Sequence, residues 1–568
     1  PIGEHEKYAA RVFGAHRSYS VTNGTSTSNR VIFTAAVGQG EAVLCDRNCH
    51  TSIEHGLVLT GGIPTYLVPL RNRYGLIGPI PPERLTEGAI EATILANPLI
   101  DDPAQTRAVY AVITNSTYDG LCYNVRRVVE LLDPSVDRIH FDEAWYAYAR
   151  FNPLYRGRFA MHGDPKEHRG PTVFATHSTH KLLAALSQAS LLHIRDGRAS
   201  IPHERFNEAF MMHASTSPLY PVIVSNDISA AMMDGPGGRA LTEESIQEAV
   251  AFRQTMGRVH HQFSDKGDWF FNTWNPDTVK DSRGEPVPFE SASPDLLARD
   301  PDAWVLHPGD RWHGFGDLED GYCMLDPIKV SIVTPGVADS GDLDTRGLPA
   351  TLVTAYLHNL GVDVQKTTDF TILFLFSIGI TKGKWGTLLN ALLDFKRDYD
   401  ANTSLAEVLP TLAAAHPSVY SGMGLRDLAD QMFAQLKASR QMHWMTEAFS
   451  TLPRLALSPR EAYQHLIRSD TEHIPLEELA DRVLATSLVP YPPGVPMLMP
   501  GETTGPSDGP YLSYLRALAS WDHHFPGFGH DIHGVAAKDG TYWVQCLKGT
   551  LRERPQLERR TEFVGGTA

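Results

Sequence analysis

Lys181 is the residue whose type and surroundings most directly indicate chemistry. It closes a polar stretch, 176–180, and lies between two apolar runs, 172–175 and 191–194, that are typical of β-strands. A lysine on such a strand-to-strand turn is partly desolvated, so its pKa falls and its neutral amine can form an imine with an aldehyde. The pattern predicts a Schiff-base lysine, with an ordinary surface lysine on a buried stem as the alternative.

Asp142 supplies the second feature that this chemistry requires. An apolar run, 138–141, ends at this acidic residue, which would place its carboxylate at the carboxyl edge of a sheet. A carboxylate in that position can hold the ring nitrogen of pyridoxal 5'-phosphate (PLP), an electron sink. Ser178, just before Lys181, can donate a hydrogen bond to a phosphate. Together these residues predict a PLP site.

Several blocks of the sequence resemble, in the same order, the bacterial ornithine/lysine/arginine decarboxylases, a PLP-dependent family. The resemblance covers nearly the whole chain and is greatest to the lysine decarboxylase branch, through residues 142–146 and 380–385. The family's amino-terminal wing domain has no counterpart in this sequence, which begins at Pro1. The matching blocks are Asn23-Gly24-Thr25-Ser26-Thr27, Asp46-Arg47-Asn48-Cys49-His50, Thr114-Asn115-Ser116-Thr117-Tyr118-Asp119-Gly120, Phe141-Asp142-Glu143-Ala144-Trp145, Ser178-Thr179-His180-Lys181, Trp312-His313-Gly314-Phe315, Leu325-Asp326-Pro327-Ile328-Lys329 and Pro490-Tyr491-Pro492-Pro493-Gly494-Val495.

The resemblance implies an α/β protein with the aspartate-aminotransferase-like fold (fold type I of the PLP enzymes). The alternation of strand and helix patterns before Lys181 independently predicts a mostly parallel sheet. We expect a PLP-binding large domain at 1–233, a small α/β domain at 234–400 and a C-terminal α+β domain at 401–568. The Gly-rich break at 234–238 marks the first boundary.

Further helices and strands are predicted from local patterns elsewhere in the chain. A helix is expected over 29–37, another near 242–260 and a third over 387–395, while 373–378 is typical of a buried strand. The Pro- and Asp-rich stretch 275–312 is interpreted as a long surface excursion. Asp539-Gly540 predicts a hairpin turn between short terminal strands.

The resemblance assigns cofactor contacts to residues that sequence alone leaves open. Thr25 and Ser26 precede a helix and are either cap residues or a phosphate site, and the family implies phosphate contacts. His50 is either a hydrogen-bonded structural histidine or, as the family implies, a ring stacked on the pyridine. Trp145 and His180 complete the implied cofactor-binding set with His50, Asp142, Ser178 and Lys181.

Ser215 and Thr216 carry an implication about assembly. In the family this segment reaches the cofactor phosphate of the neighbouring subunit, which implies a homodimer with shared active sites, and a decamer-like assembly is the family's larger form. The alternative is a polar helix stop ahead of Pro218.

Composition excludes several classes of function. The formal net charge of −16 argues against nucleic acid binding and is compatible with attracting cationic small molecules. Five scattered cysteines form neither a disulfide framework nor a zinc site, and the His260-His261 and His523-His524 pairs lack metal-ligand spacing, so no metal is expected. No apolar stretch is long enough to span a membrane, and we expect a cytoplasmic protein.

The predicted reaction is decarboxylation of a basic amino acid, lysine or arginine or else ornithine, to CO2 and a polyamine precursor. Family members usually carry a glutamate where this sequence has Gln365, a candidate for contacting the distal end of the substrate. An amide suits a guanidinium or a neutral ureido group better than an ammonium, so citrulline is an alternative substrate. Transamination on the same fold and a PLP-free regulatory protein are the other hypotheses.

Overall fold

The computed structural model describes residues 2–491, 494–538 and 540–549, and its first part is a sheet flanked by helices. The strands of this part are β1 (Arg17–Val21), β2 (Ala42–Asp46), β3 (Ile63–Leu67), β4 (Tyr110–Thr114), β5 (Leu121–Tyr123), β6 (Arg138–Asp142), β7 (Thr172–His177) and β8 (Ser190–Arg195). The helices are α1 (Ile2–Phe13), α2 (Gly24–Ala36), α3 (Thr51–Thr60), α4 (Glu87–Leu95), α5 (Val125–Leu132), α6 (Thr179–Leu182), α7 (His203–Met211) and α8 (Tyr220–Met233).

Seven of these strands form one sheet in the order β1-β8-β7-β6-β4-β2-β3. β8 runs antiparallel to both of its neighbours, and the other adjacent pairs are parallel. Thr114 pairs with Asp142, and Asp142 pairs with Thr176. The ends of β4, β6 and β7 are therefore level at the carboxyl edge, where open α/β sheets bind ligands. The predicted fold class is confirmed.

A four-stranded antiparallel sheet, β14-β15-β13-β9, organises the second part of the chain. The strands of this part are β9 (Asn272–Thr273), β10 (Thr278–Lys280), β11 (Pro286–Pro288), β12 (Cys323–Leu325), β13 (Lys329–Val333), β14 (Lys366–Thr367) and β15 (Thr371–Leu375). The helices are α9 (Pro236–Ser264), α10 (Pro294–Arg299), α11 (Ala350–Asn359) and α12 (Lys382–Ala401).

The interpretation of 275–312 as a surface excursion is wrong. Phe289, Leu297 and Trp304 from this stretch are buried in the main core, and the Trp304 indole N–H donates a 2.8 Å hydrogen bond to the Leu297 carbonyl. Burial of these apolar side chains stabilises the fold, so they pack into the core despite the many prolines and aspartates around them. The polar residues of the same short elements lie on the outer side.

The third part contains the remaining helices and a three-stranded antiparallel sheet, β16-β20-β19. Its helices are α13 (Leu405–Val408), α14 (Pro410–Ala415), α15 (Pro417–Tyr420), α16 (Leu425–Ser439), α17 (Gln441–Ser450), α18 (Pro459–Ile467) and α19 (Pro510–His524). Its strands are β16 (Thr471–Pro475), β17 (Val489–Tyr491), β18 (Asp531–His533), β19 (Val535–Lys538) and β20 (Thr541–Leu547). β19 and β20 are the expected terminal strands, and Asp539 of the predicted turn lies outside the described residues.

Short 3₁₀ helices occupy several connections: Pro82–Leu85, Ala147–Phe151, Pro153–Tyr155, Pro165–Glu167, Phe289–Ser291, Pro301–Trp304 and Leu476–Glu478. Three predicted helices begin earlier than expected, since α2 starts at Gly24, α9 at Pro236 and α12 at Lys382. Proline is favoured at the first helical position, so Pro236 extends α9 rather than preceding it. β15 ends at Leu375, before the predicted strand end at residue 378.

The predicted domain limits of 1–233, 234–400 and 401–568 stay a prediction. Each of the three sheets described above lies within one predicted domain. The two-stranded pairing of β5 with β12 joins the first part to the second, and a continuous apolar core includes residues from both.

Candidate active site

A cavity of about 720 Å³ opens at the carboxyl edge of the large sheet. Nine of the eleven predicted site residues line it: Thr25, Ser26, His50, Asp142, Trp145, Ser178, His180, Lys181 and Gln365. The structure thus brings together residues from α2, the ends of β2 and β6, the β7–β8 connection and the segment before β14. Ser215 and Thr216 do not line this cavity and are exposed between α7 and α8.

Lys181 lies on α6, a single helical turn between β7 and β8. Its ammonium nitrogen lies 4.2 Å from the centre of the Trp145 ring. Burial lowers the pKa of Lys181 to about 8, Asp142 opposes this shift, and the positive charge of Lys329 adds to it. A larger fraction of neutral amine is therefore present near neutral pH than for an ordinary lysine.

Asp142 is the last residue of β6, and its carboxylate is buried and fixed by two N–H donors, with a hydroxyl nearby. The Asn29 side-chain amide donates to Oδ2 over 2.9 Å, and the Ala144 backbone N–H donates to Oδ1 over 3.2 Å. The Thr176 hydroxyl contacts Oδ1 at 3.4 Å. A carboxylate oriented in this way can hold a proton on a ring nitrogen in the cavity.

His50 is the N-cap of α3. Its Nδ1 atom accepts a hydrogen bond from the Ser52 backbone N–H over 3.1 Å and lies 2.9 Å from the Ser52 hydroxyl. These contacts fix the ring on the cavity wall. Desolvation by the surrounding wall lowers the pKa of His50, Asp142 opposes the shift, and Lys181 adds to it. A neutral imidazole can lie against an aromatic ring without placing a second cation beside Lys181.

The first turn of α2 forms the polar end of the cavity. Asn23 occupies the N-cap position but makes no capping hydrogen bond. Its side-chain nitrogen donates to the Thr27 hydroxyl over 3.1 Å. Gly24 has a φ of +72°, and a Cβ added there would meet nothing within 4 Å. The Thr25 hydroxyl lies 2.5 Å from that of Ser178. An uncapped helix N-terminus beside two hydroxyls is suited to a phosphate.

Sequence reasoning missed the residues that support Asp142. Asn29 bridges the Ser52 hydroxyl and Asp142, both over 2.9 Å, and the Thr176 hydroxyl donates to its side-chain oxygen over 3.0 Å. One signal was available: Asn29 stands four residues after Thr25, so a helix over this stretch presents both on one face.

These residues fit PLP on the evidence of their own geometry. A lysine with a lowered pKa, a buried carboxylate with an oriented oxygen and an uncapped helix N-terminus are the three features that its aldehyde, ring nitrogen and phosphate require. Within the described ranges, no group of three or more His, Cys, Asp or Glu side chains is placed to hold a metal ion. Nor does that part of the chain contain a helix long and apolar enough to cross a membrane.

Comparison with known proteins decides the family. A sequence model described as "Orn/Lys/Arg decarboxylase, major domain" matches residues 1–384, and one for the C-terminal domain of the same enzymes matches residues 442–548. The chain belongs to the Orn/Lys/Arg decarboxylase family. As a member of this family it is a PLP-dependent amino-acid decarboxylase acting on a basic amino acid, and the predicted family, reaction and cofactor are confirmed.

Three relatives give the scale of the similarity. The chain is 53% identical to the biodegradative arginine decarboxylase of Escherichia coli K12, over 96% of this chain and 73% of that protein. It is 46% identical to the lysine decarboxylase LdcA of Pseudomonas aeruginosa, over 96% and 71%. The solved structure of lysine decarboxylase A from P. aeruginosa superposes with a TM-score of 0.90 at 45% identity, covering 96% of this chain and 72% of that one.

Proposed function

We propose that the preferred substrate of this decarboxylase is arginine, which it converts to CO2 and agmatine. The observation that carries the proposal is the neutral Gln365 on the cavity wall, whose side-chain nitrogen donates a 2.8 Å hydrogen bond to the Tyr118 hydroxyl. This contact leaves the amide oxygen of Gln365 as an acceptor for the distal group of a substrate.

The charge of the wall supports a guanidinium. Among the described residues that line the cavity, Asp142 is the one carboxylate, and it serves the cofactor end. A lysine or ornithine ammonium is a strongly hydrated point charge that needs an anion to replace its water. A guanidinium is more weakly hydrated and stacks on aromatic faces, which Tyr118, Trp145 and Tyr491 provide on the same walls.

The relatives are in accord with this choice. The chain shares more identical residues with the E. coli arginine decarboxylase than with the lysine decarboxylase LdcA, at 53% against 46%. The formal net charge of −16 favours the approach of a substrate with a cationic side chain.

Each residue of the site has a defined part in the reaction. When bound, PLP supplies the electron sink for the pair released from the bond between Cα and the carboxylate. Lys181 would hold the cofactor between turnovers and give way to the substrate amine. Asp142 would keep a proton on the ring nitrogen, His50 would lie against the ring, and Thr25, Ser26 and Ser178 would bind the phosphate.

A substrate panel tests the proposed specificity. We would assay CO2 release from arginine, lysine, ornithine and citrulline with the natural protein and with Gln365→Glu, using Tyr118→Phe as a control that removes the Gln365 partner without adding charge. The natural protein should prefer arginine. The added carboxylate should improve lysine and ornithine relative to citrulline by about tenfold or more, because it pairs with an ammonium and not with a ureido group.

Three outcomes would contradict the proposal. A natural preference for lysine, ornithine or citrulline would exclude arginine as the preferred substrate. An unchanged ranking in the Gln365→Glu variant would show that residue 365 does not contact the distal group. Detection of a keto acid in place of CO2 would indicate transamination.

We further propose that the protein works as a homodimer in which Ser215 and Thr216 of each subunit reach the phosphate end of the other subunit's cavity. Both residues are exposed between α7 and α8, beside the exposed apolar side chains Met212, Leu219, Tyr220, Val224 and Ile228. Apolar groups clustered in this way are typical of a surface that another chain covers.

Complementation between inactive variants tests the shared site. Lys181→Ala and the double variant Ser215→Ala/Thr216→Ala should each be inactive or weak alone. After mixing and subunit exchange, a hybrid dimer contains one complete site, so activity should rise to about a quarter of the natural level. Failure to recover activity in hybrids whose formation is verified by mass would contradict the shared site.

We also propose that the protein resides in a reducing cytoplasm. All five of its cysteines are free and buried, and no two of them are joined in a disulfide. Buried thiols without pairing are usual in that compartment. Detection of the natural protein outside the cytoplasm in cell fractionation would contradict this location.

A further inference from the structure

Lys329 is a buried cation that contacts Ser116, a residue on the wall of the active-site cavity. It begins β13, is 1% exposed, and its ammonium donates to the Ser116 hydroxyl over 2.6 Å and to the Thr117 carbonyl over 3.1 Å. Ser116 follows the end of β4, is 4% exposed, and lines the cavity that contains Lys181.

The charge of Lys329 has no direct counter-ion. Within the part of the chain that the structure describes, no carboxylate oxygen lies at ion-pair distance from it. The nearby Asp326 instead accepts hydrogen bonds from the Tyr148 and Tyr155 hydroxyls. Lys366, the other buried lysine beside the cavity, differs because it forms an ion pair with Asp119 at 2.6 Å. Burial lowers the pKa of Lys329, and the negative charge of Asp326 opposes that shift.

The donor of Ser116 is only weakly used. Its oxygen accepts from Lys329, and its hydroxyl donates a long bond of 3.4 Å to the Thr117 carbonyl, which a better acceptor in the cavity can replace. A hydroxyl that accepts from an ammonium is polarised and donates more strongly to an anion.

A donor without a partner among the described residues lies after the neighbouring strand. Asn48 also borders the cavity, is 5% exposed, and its side-chain nitrogen has no hydrogen-bond partner among the described residues. The Thr114 hydroxyl donates to the Asn48 carbonyl over 3.3 Å and so ties the two strand ends together. Leaving a buried donor unsatisfied is costly, which indicates that a ligand supplies the missing acceptor.

We propose that Ser116 binds the α-carboxylate of the amino-acid substrate, with Asn48 as the second donor and Lys329 as a positioning residue behind Ser116. This inference rests on the proposed function and adds to it the site of the reacting group. It also accounts for the buried charge of Lys329, because the substrate carboxylate would supply the anion that this side of the cavity lacks.

The indirect placement of the charge suits decarboxylation. In decarboxylation the bond between Cα and the carboxyl carbon breaks, the carboxyl group leaves as neutral CO2, and a proton from water takes its place at Cα. PLP, when bound, would supply the electron sink for the released pair. The carboxylate loses its negative charge along this path, so a direct ion pair would stabilise the substrate more than the transition state. A serine hydroxyl between the cation and the carboxylate still orients the carboxylate, but it stabilises the charged substrate less than a direct ion pair would.

The test compares a ligand that has the carboxylate with one that lacks it. For Ser116→Ala and Lys329→Met we would measure KM and kcat for arginine and the inhibition constant of agmatine, with Ser187→Ala as a matched control on another cavity serine. In both test variants KM should rise about tenfold or more, as expected for loss of a hydrogen bond to a charged group. The inhibition constant of agmatine should change less than about twofold.

A double variant checks that Lys329 acts through Ser116. If it does, Lys329→Met should add little to Ser116→Ala, because contacting residues in one network are not additive. Equal weakening of arginine and agmatine, or a single-variant KM within twofold of that of the natural protein, would overturn the inference. Absence of CO2 release from any basic amino acid by the natural protein would instead show that the proposed function itself is wrong.

Discussion

Asn29 donates a 2.9 Å hydrogen bond to Asp142, although the two residues are separated by 113 positions in the chain. Asn29 lies on α2, whose first turn carries Thr25 and Ser26 at the polar end of the cavity. One helix therefore positions both the proposed phosphate site and the carboxylate that would hold the ring nitrogen.

The contribution of this carboxylate can be measured directly. Asp142→Asn keeps the shape of the side chain and removes its charge, so kcat/KM should fall about a hundredfold or more, at roughly 1.4 kcal/mol per tenfold. Asn29→Ala removes one donor and keeps the carboxylate, so its loss should be smaller, about tenfold. Steady-state CO2 release measures both, and a loss below tenfold in Asp142→Asn would show that Asp142 does not hold the ring nitrogen.

The lowered pKa of Lys181 predicts how cofactor loading depends on pH. Burial lowers this pKa to about 8, and only the neutral amine reacts with an aldehyde. The rate at which the cofactor-free protein takes up PLP should therefore rise with pH and level off above about pH 8, well below the range of an ordinary lysine. Visible absorbance of bound cofactor follows the reaction. Lys181→Ala should form no such bond and show no turnover, and a midpoint near 10 in the natural protein would contradict the expected desolvation.

The burial of Glu54 is expected to make the free energy of unfolding depend on pH. Burial raises the pKa of this carboxyl from about 4.5 to about 7 in the folded protein, where its oxygen is bonded to the Ser487 hydroxyl. The folded state then binds a proton more tightly than the unfolded state, so the free energy of unfolding falls as pH rises from about 4.5 to 7. The full penalty, present above pH 7, is roughly 3 kcal/mol at 1.36 kcal/mol per pKa unit.

Glu54→Gln should remove that penalty while keeping an acceptor for Ser487. We expect its Tm to exceed that of the natural protein at pH 8 and to match it near pH 4.5. Glu91→Gln, at an exposed position on α4, is the control and should show no such dependence. An equal change in Tm at both pH values would mean that the buried charge of Glu54 is not the cause.

Arg47 and Glu502 form a buried ion pair between the large sheet and the C-terminal part of the chain. The two guanidinium nitrogens lie 2.7 and 2.8 Å from the two carboxylate oxygens. Arg47→Met should destabilise the protein by about 3–5 kcal/mol, because it leaves the Glu502 charge buried and unpaired. Adding Glu502→Gln should recover part of this loss. Denaturant unfolding measures the effect, and a double variant no more stable than the single one would exclude an unpaired charge as the cause.

The sequence predicted the elements whose patterns are local. The apolar runs that became β4 and β6 ended at the expected positions, so that Thr114 and Asp142 could be expected at one sheet edge. β7 continues to His177, two residues beyond the apolar run 172–175. Lys181, Asp142 and Ser178 were predicted from residue type and strand pattern, whereas the other cavity residues, such as Thr25 and His50, followed from the family resemblance. Their placement around one cavity agrees with that expectation, and their individual functions stay predictions.

Contacts between distant parts of the chain could not be predicted from local sequence patterns. The bond between Lys329 and Ser116 joins positions 213 residues apart, and the pairing of Gln365 with Tyr118 spans 247. Neither depends on periodicity or composition, because each arises from how the second part of the chain packs over the sheet edge. For the same reason the burial of Trp304 could not be read from a stretch rich in proline and aspartate.

The burial of the cysteines makes the chain a convenient subject for site-directed labelling. Desolvation raises the pKa of the Cys323 and Cys546 thiols to about 12 and raises the pKa of the other three as well, so few reactive thiolates are present at neutral pH. A single cysteine introduced at Ser215 would then be the thiol that a maleimide probe modifies. A fluorophore at that position would report directly on the approach of a second subunit.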